Sequence, residues 1–95
     1  MVAGNYFFKN MDKTIFSEAS QKLCSLLREV RVEKGVRQQE LAELLSEPQS
    51  FVSKYESGER RLDVVELYQI CVALGIPFSD FIARFEQSLN RKSRP

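Results

Sequence analysis

The stretch QQELAELLSEPQSFVSKYESGERR, residues 38–61, decides how this chain folds. Its first part, Gln38–Leu45, carries apolar residues at the spacing of a helix of about two turns. Proline is tolerated in the first turn of a helix, so a second short helix is predicted from Pro48 to Glu56, with Gly58 after its end. Helices this short are unstable alone in water. The stretch therefore predicts two short helices, joined by a tight turn and held by packing against the rest of the chain.

Longer amphipathic helices are predicted on both sides of this stretch. Before it, apolar residues recur at steps of three and four from Phe16 to Val30. After it, Asp63 and Glu66 have the spacing of a capping box that opens a fourth helix, and a fifth follows Pro77. The predicted inward faces are Leu41, Ala42, Leu44 and Leu45; Val52 and Tyr55; Val64, Leu67, Tyr68, Cys71, Val72 and Leu74; and Phe78, Phe81, Ile82, Phe85 and Leu89. Five helices without a strand signal predict an all-α fold.

Length and composition limit the classes of protein to consider. The 95 residues fit one domain, predicted over 16–90, with an N-terminal arm over 1–15 and a polar, basic tail over 91–95. No apolar run reaches the roughly 20 residues of a membrane span, and no signal peptide is evident, so a cytoplasmic protein is expected. The net charge of +1 gives no indication of a nucleic-acid partner.

The residue types argue against catalysis. The chain has no histidine, and its two cysteines lie in apolar stretches that predict burial. No nucleophile with a base, glycine-rich phosphate loop or metal-ligand cluster can be assembled from the sequence. We therefore expect no enzyme, no cofactor, no metal and no small-molecule substrate.

Two short helices joined by a tight turn are the unit that presents its second helix to the major groove of DNA. The segments QQELA, residues 38–42, and QSFVSKYESGERR, residues 49–61, resemble the helix-turn-helix family of phage Cro and CI repressors, also called the XRE family. The resemblance extends from about Leu23 through the last helix and includes the Ala73-Leu74-Gly75 end of the fourth. It implies a lambda-repressor-like domain of five helices, with helices two and three as the helix-turn-helix.

The resemblance also implies which residues contact DNA. Gln38, at the start of helix two, matches a glutamine that contacts a phosphate, and Gln39 lies beside it. Free backbone N–H groups and the helix dipole at this position suit a phosphate. The outward residues of helix three are the expected groove contacts: Gln49, Ser50, Ser53 and Lys54. Glutamine can bond adenine, lysine can bond guanine or phosphate, and serine can bond base edges or backbone.

Three further residues complete the expected DNA surface. Arg60 and Arg61 lie in the loop where the family places basic residues against the DNA backbone. Phe51 is larger than the residue that the family usually has at its position. Two roles are open for it: contact with a thymine methyl group, or a ring that folds back over the domain.

The resemblance implies one structural ion pair and shows two departures from the family pattern. Arg31 and Glu56 match positions that form a partly buried pair between helix one and the end of helix three. Arg37 stands where the family usually has a serine or threonine cap. Ser46 stands where the turn usually has glycine, so a left-handed residue there is expected to cost about 1 kcal/mol.

The expected function is sequence-specific binding of double-stranded DNA by a homodimer at a pseudo-palindromic operator, with repression of transcription as the simplest outcome. The dimer is expected from the apolar residues near the C-terminus and the aromatic arm. Two alternatives stay open. One is an antitoxin or a restriction-modification controller with the same domain; the other is a helical module that binds only protein, which fits the acidic residues Glu47, Glu56 and Glu59.

Overall fold

The computed structural model describes the backbone of residues 13–92 and the side chains of residues 18–90. In that part of the chain the structure is five α-helices without a strand. They are α1 (Lys13–Glu33), α2 (Gln38–Leu45), α3 (Gln49–Ser57), α4 (Val64–Leu74) and α5 (Phe78–Lys92). The prediction of an all-α fold is confirmed.

Helix boundaries match the prediction in the centre of the chain and differ at its ends. The bounds of α2 are those predicted. Helix α3 begins one residue later than predicted, because Pro48 is its extended N-cap residue, and it ends one residue later, at Ser57. Helix α1 is longer than the predicted Phe16–Val30 at both ends, and Gly35, with φ 70°, lies just beyond it. The predicted arm and tail therefore each lose residues to a helix. Their remaining residues, 1–12 and 93–95, lie outside the described part.

Acidic side chains cap the N-termini of α2 and α4. At α4, Asp63 Oδ1 accepts a hydrogen bond from the Glu66 backbone N at 2.7 Å, and Glu66 Oε1 accepts one from Asp63 N at 3.0 Å, which is the predicted capping box. At α2, Arg37 has no side-chain acceptor, so it cannot cap the helix. Glu40 supplies one half of a box by accepting from Arg37 N at 2.8 Å.

The turn between α2 and α3 contains a residue in the left-handed conformation that is not glycine. Ser46 has φ 56° and ψ 42°, as its position in the sequence predicts. Two backbone hydrogen bonds hold the turn, from Ser46 N to Glu43 O at 3.1 Å and from Glu47 N to Ala42 O at 2.9 Å. The turn thus keeps the geometry of a Schellman motif at the energetic cost of a strained serine.

Glycine at position 46 is expected to stabilise the protein. Removing the left-handed strain should stabilise the folded state by about 1–2 kcal/mol. The greater conformational freedom of glycine in the unfolded chain offsets about 0.5–1 kcal/mol of this gain. Urea unfolding of Ser46→Gly should therefore give a free energy of unfolding about 0.5–1 kcal/mol higher than the wild type. Ser25→Gly, at an exposed site inside α1, is the matched control and should be destabilising. If both variants were less stable than the wild type, the claim that Ser46 is strained would be contradicted.

One core joins all five helices. Side chains less than a tenth exposed come from each of them: Leu26, Leu27 and Val30; Leu41 and Ala42; Phe51, Val52 and Tyr55; Leu67, Ile70, Cys71 and Leu74; and Phe81. The short helices α2 and α3 each bury residues in this core, which supplies the packing that their length requires. The cysteines are not bonded to each other, and burial raises the pKa of the Cys71 thiol to about 11.

The predicted inward faces of α2, α4 and α5 are wrong in part. Val64, Tyr68 and Val72 of α4 are more than half exposed, whereas Ile70, which the predicted face omitted, is completely buried. Leu44 of α2 and Ile82 of α5 are also exposed. Helix α4 is apolar on almost every side, so periodicity alone cannot select the face that meets the core.

A buried ion pair connects α1 to the end of α3. Arg31 donates to Glu56 from Nε at 2.7 Å and from Nη2 at 3.0 Å, and its Nη1 donates to the Val36 carbonyl at 2.8 Å. The side chains of Arg31 and Glu56 are only 10% and 3% exposed. These are the two residues that the sequence pairs, and the hydrogen bonds to Glu56 raise the pKa of Arg31.

The described residues lack two other kinds of feature. They contain no group of three or more histidine, cysteine, aspartate or glutamate residues that could hold a metal ion. None of their helices is by itself long and apolar enough to cross a membrane. Val64–Leu74 and Phe78–Asn90 reach that length and composition only as a pair that is bent by 110°.

Candidate nucleic-acid interface

Helix α3 divides into an inward and an outward side. Val52 and Tyr55 are at most 1% exposed, and they anchor the helix in the core. The opposite side carries the polar residues that were expected to contact the groove. Gln49, Ser50 and Lys54 are exposed, and Ser53 is half-buried. The fold therefore presents these four side chains at one surface.

A chain of side-chain hydrogen bonds leads from the buried ion pair to this surface. Glu56 Oε1 accepts a bond from Gln38 Nε2 at 3.0 Å, and Gln38 Oε1 accepts one from Gln49 Nε2 at 3.4 Å. The ion pair thus orients the Gln38 amide, which in turn orients Gln49. After these bonds, Gln49 keeps one amide N–H and its carbonyl oxygen for another partner.

The N-terminus of α2 lies beside this chain of bonds. The first bond within the helix runs from Leu41 N to Arg37 O at 3.0 Å, so the backbone N–H groups of Gln38, Gln39 and Glu40 have no partner inside α2. Gln39 is exposed, and Gln38 keeps one amide N–H. These donors, together with the helix dipole, form a site suited to an anion.

Arg37 is a candidate contact that the sequence reasoning missed. Its side chain is 79% exposed immediately before the α2 N-terminus, and its Nε lies 3.4 Å from Glu40 Oε1. The one signal in the sequence was a cation in place of the usual uncharged cap. That substitution places a positive charge beside the free N–H groups, where a phosphate would lie.

Phe51 is the main correction among the predicted contacts. Only 9% of the residue is exposed, its ring packs edge-on against Tyr55 with centroids 5.5 Å apart, and the Arg60 guanidinium lies 4.6 Å from its centroid. Of the two roles left open by the sequence, the ring has taken the inward one. The inward position is favoured because it removes the large apolar surface of the ring from water.

Arg60 is held by other protein groups. Its Nη1 and Nη2 donate to the two Glu66 carboxylate oxygens at 3.2 and 2.9 Å, and Nη1 also donates to the Arg61 carbonyl at 2.9 Å. These bonds lower the pKa of Glu66 and raise that of Arg60. Arg61, in contrast, is exposed, and its side chain forms no ion pair with any described residue. The two adjacent arginines therefore have different environments.

The acidic residues near α3 also differ from one another in how far they are exposed and paired. Glu56 is enclosed and neutralised by Arg31, so it contributes little to the field outside the protein. Glu47 and Glu59 are exposed. The acidic character that favours a protein partner is therefore weaker than the sequence alone indicates.

Comparison with known proteins identifies the same region. The family model of helix-turn-helix proteins matches residues 27–81, which include the end of α1, all of α2, α3 and α4, and the start of α5. The XRE-family like protein from Pseudomonas syringae pv. tomato strain DC3000 is 43% identical, with a TM-score of 0.75, over 80% of this chain and 93% of that one. A search of curated proteins finds no match.

Two other solved structures are similar at lower identity. The clp gene regulator ClgR from Corynebacterium glutamicum is 28% identical over 79% of this chain and 80% of that one, with a TM-score of 0.70. The restriction-modification controller protein C.AhdI from Aeromonas hydrophila is 31% identical over 68% of this chain and 97% of that one, with a TM-score of 0.61. The chain therefore belongs to the XRE family of helix-turn-helix, DNA-binding transcription regulators.

Proposed function

We propose that this protein binds a specific sequence in double-stranded DNA through α3 and acts as a homodimeric repressor of transcription. The observation that carries the proposal is the hydrogen-bonded connection from Arg31 and Glu56 through Gln38 to Gln49. Side chains that are held in place before binding lose less conformational entropy when they bind. An oriented polar group on the outward side of a recognition helix is suited to reading base edges.

Gln49 is the residue that we assign to direct base readout. The N–H and carbonyl oxygen that remain after its bond to Gln38 match the N7 acceptor and N6 donor of adenine. Ser50, Ser53 and Lys54 share its surface. Lysine reaches guanine acceptors or a phosphate, and serine serves either type of partner.

Phosphate contacts are assigned around this readout surface. The free N–H groups at the start of α2, with Gln38, Gln39 and Arg37, would hold one phosphate in front of the helix. Arg61 would hold another beyond the end of α3. Such contacts position the protein on the duplex without reading its sequence.

The two-fold symmetry of duplex DNA supports a homodimer. One α3 helix reads only a few base pairs, and two copies related by a two-fold axis can read half-sites about 34 Å apart on one side of the duplex. A pseudo-palindromic operator matches that symmetry. Repression is then the direct result when the operator overlaps a promoter.

Arg61→Gln and Arg60→Gln form a matched pair that tests the DNA surface. A variant that no longer binds one of the phosphates should have a slope of log affinity against log salt that is less steep by about 0.9. On a random-sequence duplex, we expect that decrease for Arg61→Gln and almost no change for Arg60→Gln, because Glu66 already neutralises Arg60. A shallower slope for Arg60→Gln alone would contradict the assignment. The absence of binding at low salt would reject the DNA-binding proposal and favour a protein partner.

A second candidate is the controller of a restriction-modification system. It is favoured by the similarity to C.AhdI, whose 31% identity extends over almost all of that chain. The same DNA surface would serve this role or that of an antitoxin. A gene for a restriction enzyme or a toxin beside this gene would support it.

A further inference from the structure

The side chain of Arg60 connects the recognition helix to α4. Its guanidinium carbon lies 4.6 Å from the centroid of the Phe51 ring on α3. Its Nη1 and Nη2 donate to the two carboxylate oxygens of Glu66, in the first turn of α4, at 3.2 and 2.9 Å. Helix α3 packs mainly against α1 and α2, and α4 packs mainly against α2 and α5. Arg60 is therefore a direct connection between two helices that pack little against each other.

The Glu66 end of this connection is itself held in place. Glu66 Oε1 also accepts a hydrogen bond from Asp63 N at 3.0 Å, and Glu66 N donates to Asp63 Oδ1 at 2.7 Å, so the carboxylate belongs to the capping box of α4. A bidentate pair of arginine and carboxylate defines the plane of the guanidinium as well as its position. The Arg60 side chain thus takes its orientation from the N-terminus of α4.

The loop that carries Arg61 is bonded to Arg60 and to the end of α3. Nη1 of Arg60 donates to the Arg61 carbonyl oxygen at 2.9 Å. The backbone N atoms of Glu59 and Arg60 donate to the Lys54 carbonyl oxygen at 2.9 and 3.2 Å. Lys54 and Arg61 both belong to the DNA surface of the proposed function. The position of Arg61 relative to α3 therefore depends on Arg60.

We propose that Arg60 and Glu66 are positioning residues for DNA binding: their pair holds the backbone of Arg61 and the end of α3 in the arrangement that fits the duplex. The inference rests on the proposed function, because it concerns the same DNA surface. It gives Arg60 a different role from the phosphate contact that the sequence predicts. A loop that is held in place before binding loses less conformational entropy on DNA than a free loop does.

The bonds of Arg60 favour positioning over phosphate contact. Both of its Nη atoms already donate to oxygen atoms of the protein. Contact with a phosphate through these atoms would break the pair with Glu66 and remove the guanidinium from the Phe51 ring. The carboxylate also offsets the positive charge of Arg60, so Arg60 attracts a phosphate less than the exposed Arg61 does. Positioning keeps all of these bonds when DNA is bound.

Glu66→Gln separates the two roles by the sign of its effect. Glutamine can keep the capping box, but its amide NH₂ group cannot accept a hydrogen bond from Arg60. If Arg60 bound a phosphate, loss of the carboxylate would free it and raise the affinity for DNA. Positioning predicts instead that the affinity for the duplex enriched by selection is about 5- to 10-fold lower than that of the wild type. Glu47→Gln, at an exposed site in the turn before α3, is the matched control and should not lower the affinity.

Arg60→Lys supplies a second comparison. Lysine keeps the positive charge but lacks the planar fork that bonds both Glu66 oxygens. It would serve as a phosphate contact, whereas positioning predicts the same decrease of about 5- to 10-fold as for Glu66→Gln. The slope of log affinity against log salt should equal that of the wild type in both variants, because the number of bound phosphates is unchanged. Circular dichroism should show equal helix content, so that the decrease does not arise from unfolding.

Hydrogen exchange of the full chain without DNA separates this inference from the proposed function. The backbone N–H groups of Glu59 and Arg60 should exchange about 2- to 10-fold faster in Glu66→Gln and Arg60→Lys, and at the wild-type rate in Glu47→Gln. If no form binds DNA but the exchange rates separate in this way, the positioning of the loop is supported and the DNA-binding proposal fails. If the wild type binds DNA and Glu66→Gln binds it as tightly or more tightly, the positioning role is overturned while the DNA-binding proposal stands. An equal decrease for Glu47→Gln would overturn it as well.

Discussion

Arg31→Met is expected to lower the free energy of unfolding by about 3–5 kcal/mol, the largest effect on stability that the structure predicts. The substitution removes two hydrogen bonds from Glu56, whose side chain is only 3% exposed, and one from the Val36 carbonyl. The carboxylate is then left in the interior with Gln38 as its remaining side-chain partner. An unpaired buried charge is strongly destabilising because the protein cannot solvate it as water does.

Arg84→Met is the control, because it removes the same side chain from an exposed pair. Arg84 contacts Glu29 and Glu33 at 3.0 Å between α5 and α1, where both acidic side chains are about half exposed. Surface pairs of this kind contribute about 0–1 kcal/mol. Urea unfolding of both variants makes the comparison. Similar decreases in the free energy of unfolding would contradict the expectation that the buried Arg31–Glu56 pair matters more for stability than a surface pair.

The double variant Arg31→Met with Glu56→Leu adds a second comparison. Replacing both members of a buried pair with apolar residues removes the unpaired charge, so much of the stability should return. The affinity of this double variant for DNA should nevertheless be lower than that of the wild type. Gln38 would then lack the carboxylate that orients it, and the connection to Gln49 would lose its fixed end.

Gln49→Ala is expected to have the largest effect on base preference. If Gln49 bonds adenine through two groups, its removal should reduce the discrimination between adenine and the other bases at one operator position by about 1–3 kcal/mol, roughly 5- to 150-fold. Competition among four duplexes that differ only at that position measures the effect. Gln39→Ala, at the proposed phosphate site, should weaken binding to all four by the same factor. A uniform decrease for Gln49→Ala as well would contradict its assignment to base readout.

Much of the fold could be predicted because local signals agree with the tertiary structure. Residues 38–61 contain two short helical patterns, a turn and an N-terminal proline, and the structure differs from the prediction there only at α3, which begins and ends one residue later. The Asp63 capping box and the left-handed Ser46 also depend only on neighbours in the sequence. Such features arise from hydrogen bonds over three to five residues, which a sequence displays directly.

The inward faces and the roles of single residues depend on more distant contacts. Ile70 is buried and Tyr68 exposed because of the way α4 packs, although both positions are apolar. The ring of Phe51 is covered by Arg60, which Glu66 holds in place, and no local pattern connects these three positions. The family resemblance brings Gln38 and Gln49 into the expected site. Their mutual hydrogen bond and its link to Glu56 become visible only in the folded molecule.

The most direct test of the central claim is selection of binding sites by the wild-type protein from a pool of random duplex DNA, followed by sequencing. We predict enrichment of one inverted repeat whose half-site centres lie about 34 Å, or one helical turn, apart, with an adenine among the preferred bases of each half-site. Recovery of unrelated sequences with no shared motif, even at low salt, would contradict sequence-specific binding by α3.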